Sequence, residues 1–226
     1  GRGRGEESGG LGRGGVRRGD GGVGAASASK GGAALEGAGP IVSGEFAPQA
    51  ALACEAVRLA CDLCRRTQST LLGEDKVDKS DLSPVTVADL GAQAVVSWAL
   101  QSLPGASRGV PFSLVAEEDA DFLRTEEGAN LRAKVTALVN GTLATRAAAP
   151  PLSEAQVMDL IDAGGSPGGP EGNHWVLDPI DGTRGFVANR QYAVALALLH
   201  AGRPVVGALG CPNLSLSRRA GFDARG

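Results

Sequence analysis

The first 46 residues take themselves out of any packed fold. The run "GRGRGEESGGLGRGGVRRGDGGVG" carries almost no apolar side chain, and 17 of the chain's 35 glycines fall within its first 44 residues. Such a segment cannot bury enough surface to offset the entropy of ordering it. Residues 1–46 are therefore expected to be a disordered Gly/Arg-rich leader, and the fold must come from residue 47 onward. Arg2, Arg4, Arg13, Arg17 and Arg18 suggest two other readings, an RNA-binding tail and an organelle transit peptide. Glu6, Glu7 and Asp20 count against both.

The remainder can fold. With 226 residues, 42% of them hydrophobic, the chain supports one substantial domain. A formal net charge of -3 offers no bulk attraction for nucleic acid. No apolar run reaches the roughly 18 residues of a membrane span. Neither a nucleic acid nor a membrane is an expected partner.

Two helices open the domain. Pro48 to about Leu72 repeats apolar residues at three- and four-residue steps, with Arg65 and Arg66 placed to suit the C-terminal dipole. Cys61 and Cys64 form a C-x-x-C, which can mean redox or zinc chemistry. On a helix, however, Cys54, Cys61 and Cys64 share a face with Val57 and Ala60, and no second C-x-x-C completes a zinc site. Buried core thiols are the favoured reading, a reactive pair the alternative. After the polar loop "GEDKVDKSDLSP", Thr86 and Asp89 resemble an acidic capping box. Ala92, Val95, Val96, Ala99 and Leu100 then provide a buried face, and Pro104-Gly105 stops the helix.

Downstream, Phe112–Ala116 reads as a short buried strand running into acids. Leu131, Val135, Leu138 and Val139 have helical spacing; residues 145–152 read as a surface connection. Ser153 caps a short helix through Ile161, "GGSPGGPEGN" is a loop, and "HWVLD" is a strand. "QYAVALALLHAGRPVVGALGCPN" reads as a hairpin joined at "HAGRP". This order predicts an α+β or layered α/β domain, with helices packed on a mixed, largely antiparallel sheet. No G-x-G-x-x-G follows a first strand, which argues against a dinucleotide fold.

Chemistry concentrates in "LDPIDGT", residues 177–183. If the strand ends at Leu177, Asp178 stands at its lip and Pro179 fixes the exit. Asp181 projects nearby, with the Ile180 carbonyl between the two acids. These are hard oxygen donors suited to Mg²⁺. The amides of Gly182 and Thr183 can receive phosphate oxygens. The competing reading is an Asx turn, since D-P-x-D-G is also good turn chemistry. Glu117 and Glu118 at another strand end, and Asp89 at a helix start, favour a metal–phosphate site. Taken singly, they are a solvated loop and a simple cap.

"SPVTVAD", "LVAEED" and "WVLDPIDGTRGF" resemble the lithium-sensitive, Mg²⁺-dependent phosphatase superfamily that includes inositol monophosphatase. Within it, "KSDLSPVTVADLGAQAVV" and "QYAVALALL…GALGCPNL" look most like the plant and fungal 3′(2′),5′-bisphosphate nucleotidases of sulfur metabolism. The resemblance covers about residues 48–214. It implies the phosphatase fold of that family and two or three Mg²⁺ ions. The implied substrate is a small nucleotide bisphosphate, adenosine 3′,5′-bisphosphate, with its sulfated analogue (PAPS) and inositol 1,4-bisphosphate as further candidates. Carried over by position, Glu117, Asp178 and the Ile180 carbonyl match one metal site, and Asp178 bridges to a second with Asp181. Asp89 and Thr183 match the pair that orients and deprotonates the attacking water; Gly182 and Thr183 contact the scissile phosphate. The implied reaction is in-line attack of metal-activated water, without a covalent intermediate.

Two departures stand out. Asn189-Arg190 precede Gln191-Tyr192 where the family has Gly-Asp or Gly-Glu. The family's second domain carries a W-D-x-A-A-G-like motif, whereas Trp98 and Trp175 here are not followed by Asp. The resemblance thus implies the N-terminal half of such an enzyme, residues 47–214, with a divergent tail over 215–226. A non-catalytic metal- or phosphate-binding remnant is the alternative. A monomer is expected, in a plastid or mitochondrion, with the cytoplasm as the alternative.

Overall fold

The computed structural model describes residues 44–73, 84–104, 112–147 and 149–214. Most of the expected leader, the "GEDKVDKSDLSP" loop apart from its two end residues, and the tail from residue 215 lie outside the described residues. The described part starts slightly inside the expected leader: Phe46 packs against the core and tilts against the His200 ring at 5.7 Å.

Helix α1 spans Ala47–Gly73 and α2 spans Pro84–Ser102. The helix α2 begins at Pro84, because proline suits the first helical position, where its missing N–H is no loss. Thr86 therefore lies inside the first turn and Asp89 in the second, and the expected Thr86–Asp89 cap does not form. Nor do Arg65 and Arg66 reach the last turn of α1. Arg65 pairs with Asp62 at 3.1 Å, and Arg66 donates to the Gly141 carbonyl at 3.3 Å. From Leu90 to Ser97 every α2 residue is buried, so α2 is a central helix. It packs against α1, against the sheet, and against α3 (Ala129–Ala147), α4 (Glu154–Asp162) and α5 (Thr183–Val187).

The sheet has four strands in chain order, β1 (Leu114–Val115), β2 (Asn173–Asp181), β3 (Ala193–His200) and β4 (Arg203–Gly210). The pair β1–β2 is parallel and the other two are antiparallel, β3–β4 as the hairpin pattern predicts. Strand β1 is shorter than expected: Phe112 is exposed, and only Leu114 and Val115 pair with β2. Helix α3 runs two residues beyond the expected start of the surface connection. Ser153 caps α4 in a full capping box with Gln156. The 3-10 turn at Phe122–Arg124 and the helix α5 have no counterpart among the sequence-predicted elements. Trp175, Leu177, Val194, Leu196, Leu198, Val206 and Ala208 alternate along the strands onto one face and join the helices in a single core.

Candidate active site

Strand direction brings the acids together. Because β1 and β2 are parallel, their C-terminal ends open at the same edge of the sheet, where ligands of α/β folds bind. Glu117 and Glu118 follow β1, while Asp178 and Asp181 lie at the end of β2. Helix α2 supplies Asp89 beside them.

The strand β2 does not stop at Leu177. It continues to Asp181, with an irregularity in its pairing to β3 between Asp178 and Asp181. Pro179 has no N–H to give the ladder, and the strand accommodates it with an extra residue. The phase shift has a chemical consequence. In a regular strand, positions 178 and 181 would face opposite sides. Here Pro179 and Ile180 are both buried, and Asp178 and Asp181 are both exposed. The Asx turn is also present: Asp178 Oδ1 accepts from the Ile180 amide at 3.1 Å. It engages one carboxylate oxygen of an exposed side chain, so turn chemistry and site chemistry coexist. Gly182, at φ +93°, leads into α5, and the Thr183 hydroxyl donates to the Ile180 carbonyl at 3.4 Å. The buried Gln68 of α1 fastens α5 by donating to the Phe186 carbonyl at 2.8 Å.

The acids feel one another. Burial, then the charges of Glu118, Asp178 and Glu117, push the Asp89 carboxyl up to about 7. Burial and Glu117 raise Glu118; burial and Asp181 raise Asp178, opposed by the Ile180 amide. Three segments far apart in sequence thus share one electrostatic site. Among the described residues, however, no three carboxylate, imidazole or thiol groups close on one point tightly enough to hold a metal ion. The donor chemistry fits a hard divalent cation; the arrangement of side chains is more open than a finished ligand shell.

The sequence profile of the inositol monophosphatase family matches residues 47–221. The chain belongs to the inositol monophosphatase family. Among curated proteins, "3′(2′),5′-bisphosphate nucleotidase 1" of Arabidopsis thaliana is 51% identical over 169 residues, 74% of this chain and 47% of that protein. "3′(2′),5′-bisphosphate nucleotidase" of Oryza sativa is 47% identical over 172 residues, 76% of this chain and 48% of that protein. A nucleotidase of Schizosaccharomyces pombe is 41% identical over 177 residues, 75% and 48% respectively. The chain spans about half the length of the curated relatives it matches.

Every site residue expected from the inositol monophosphatase resemblance, Asp89, Glu117, Asp178, Ile180, Asp181, Gly182 and Thr183, lies at or beside this sheet edge. Of the two glutamates, the family resemblance gave a ligand role to Glu117 alone, although the sequence places Glu118 at the same strand end. Glu118 is half-buried where Glu117 is exposed, and it is the largest charge acting on Asp89. The doublet itself was the available signal. The charge of Asp89 reaches the Cys64 thiol of α1. Cys61 and Cys64 are free and buried, and burial raises both thiols, Cys61 to about 11, away from thiolate chemistry. Among the described residues no helix is long and apolar enough to cross a membrane.

Proposed function

We propose that the chain carries the metal- and phosphate-binding part of a Mg²⁺-dependent phosphatase that hydrolyses the 3′-phosphate of adenosine 3′,5′-bisphosphate. The observation that carries this reading is the meeting of Asp89, Glu117–Glu118 and Asp178–Asp181 at one sheet edge. The names of the relatives supply the substrate.

Glu117, Asp178, Asp181 and the Ile180 carbonyl are the oxygens that would hold magnesium. Bound there, it would supply positive charge to the phosphate and lower the pKa of a water. The chain's own groups divide the remaining work. Asp89, the acid that α2 brings beside these oxygens, is the base that would take a proton from the water. The Thr183 hydroxyl commits its proton to the Ile180 carbonyl, which leaves its oxygen free to accept from that water and aim it. The amides of Gly182 and Thr183 are the donors that would meet phosphate oxygens. In-line displacement then needs no enzyme nucleophile.

The test is phosphate release from adenosine 3′,5′-bisphosphate by the purified chain with Mg²⁺, with and without Li⁺, beside Asp181→Ala. Release abolished by both lithium and the substitution supports the reading. Absence of release from folded protein favours a second reading, metal or phosphate binding without turnover. The open arrangement of the carboxylates among the described residues favours that alternative. Running PAPS and inositol 1,4-bisphosphate alongside ranks the substrates.

A further inference from the structure

Gln93 is wholly buried on α2, one turn after Asp89 and on the same side of the helix. A buried carboxamide is costly unless its hydrogen-bonding groups are satisfied. Both ends of this one are used. Its Oε1 accepts from the Glu118 amide at 3.1 Å, and its Nε2 donates to the Glu118 carbonyl at 2.7 Å. The side chain thus pairs with Glu118 as a neighbouring strand would. The same Nε2 donates to the Ile161 carbonyl near the end of α4 at 2.7 Å.

The loop after α4 completes the grip. The Gly164 carbonyl accepts from the Ala116 amide at 2.9 Å. Gly164 must lack a side chain, because a Cβ there would sit 2.5 Å from Gln93 Nε2 and 3.0 Å from the Ala116 Cβ. The backbone is therefore fixed at Ala116 on one side of Glu117 and at Glu118 on the other. The helix that fixes Glu118 is the helix that carries Asp89.

We propose that Gln93 is a positioning residue, setting the Glu117–Glu118 acids against Asp89 so that a hard divalent cation can be held there. This rests on the metal-site reading given under Proposed function. It predicts that Gln93 tunes cation affinity beyond its effect on stability. Asn140 provides a matched control. Its carboxamide makes the same two-ended pairing, with the Leu152 amide and carbonyl at 2.8 and 2.9 Å, remote in sequence from the acids.

The experiment measures Mn²⁺ affinity of the full chain, by the EPR signal of free Mn²⁺, for the unsubstituted protein, Gln93→Met and Asn140→Leu. The expected result is a loss of about 10–100-fold for Gln93→Met, the range for residues that orient metal ligands. Asn140→Leu should stay within about twofold, as a distant site should, even where both lower the melting temperature. If Gln93→Met does not fold, Gln93→Leu replaces it: it likewise lacks the acceptor for the Glu118 amide and the donors to Glu118 and Ile161. Wild-type affinity in the folded Gln93 variant, or an equal loss in both variants, overturns the inference alone. Failure of the unsubstituted chain to bind Mn²⁺ overturns the metal-site reading and the inference together.

Discussion

Asp89 is the residue whose environment says most. Its carboxyl ionises near 3.8 in the unfolded chain and near 7 in the folded one, chiefly through burial. The native state therefore holds a proton that the unfolded state has released, which sets the sign of the pH dependence. In metal-free protein this contribution is fully present below about pH 4 and is lost as pH rises through about 7. Melting temperatures of the metal-free chain from pH 4 to 8 should fall relative to those of Asp89→Asn, which remains neutral throughout. Parallel profiles would show that Asp89 does not titrate as placed. A bound cation should reduce the effect by stabilising the ionised form.

At the level of elements, two local choices are exposed to test. The β3–β4 turn places Ala201 at φ +47° and Gly202 at φ +71°, the arrangement of a type I′ turn. Glycine adopts it freely, but alanine is strained and asparagine is better suited. Ala201→Asn should stabilise the domain by about 0.5–1 kcal/mol, read as a higher denaturant midpoint at unchanged slope. The α4 capping box satisfies two amides through Ser153 and Gln156. Ser153→Ala should cost about 1 kcal/mol in the same assay.

The whole molecule depends on the helix layer beneath the sheet. Leu63 is fully buried between α1 and α2, where a Cβ on Gly91 would come within 3.1 Å of its Cδ1. Leu63→Ala should cost roughly 2–5 kcal/mol of global stability, the range for a buried leucine that leaves a cavity. Chemical denaturation measures the loss, and a value under about 1 kcal/mol would mean the layer closes over the gap. Saturating Mg²⁺ should raise the melting temperature of the intact chain, because the carboxylate site exists only in the folded state. Asp181→Ala should abolish that rise. The same experiment therefore tests the site at the scale of the fold.

The sequence by itself determined the main helices and strands, the hairpin and the α4 cap, though not α5 or the 3-10 turn. These are local matters: apolar periodicity, turn residues and capping patterns act over a few positions, and they read correctly at β3–β4 and at Ser153. It did not determine where α2 begins: the Thr86–Asp89 pair pointed to a start at Thr86, whereas the helix already includes Pro84. Nor did it show that β2 runs through Pro179. That requires the pairing with β3, whose irregular register turns Asp178 and Asp181 to the same side. The tertiary structure alone decided that Glu118 is half-buried and that a glutamine on an apolar helix face grips it. Hydrogen bonds between residues 25 positions apart leave no periodic trace in a sequence. They appear only when the packing of α2 against β2 and α4 brings the partners together.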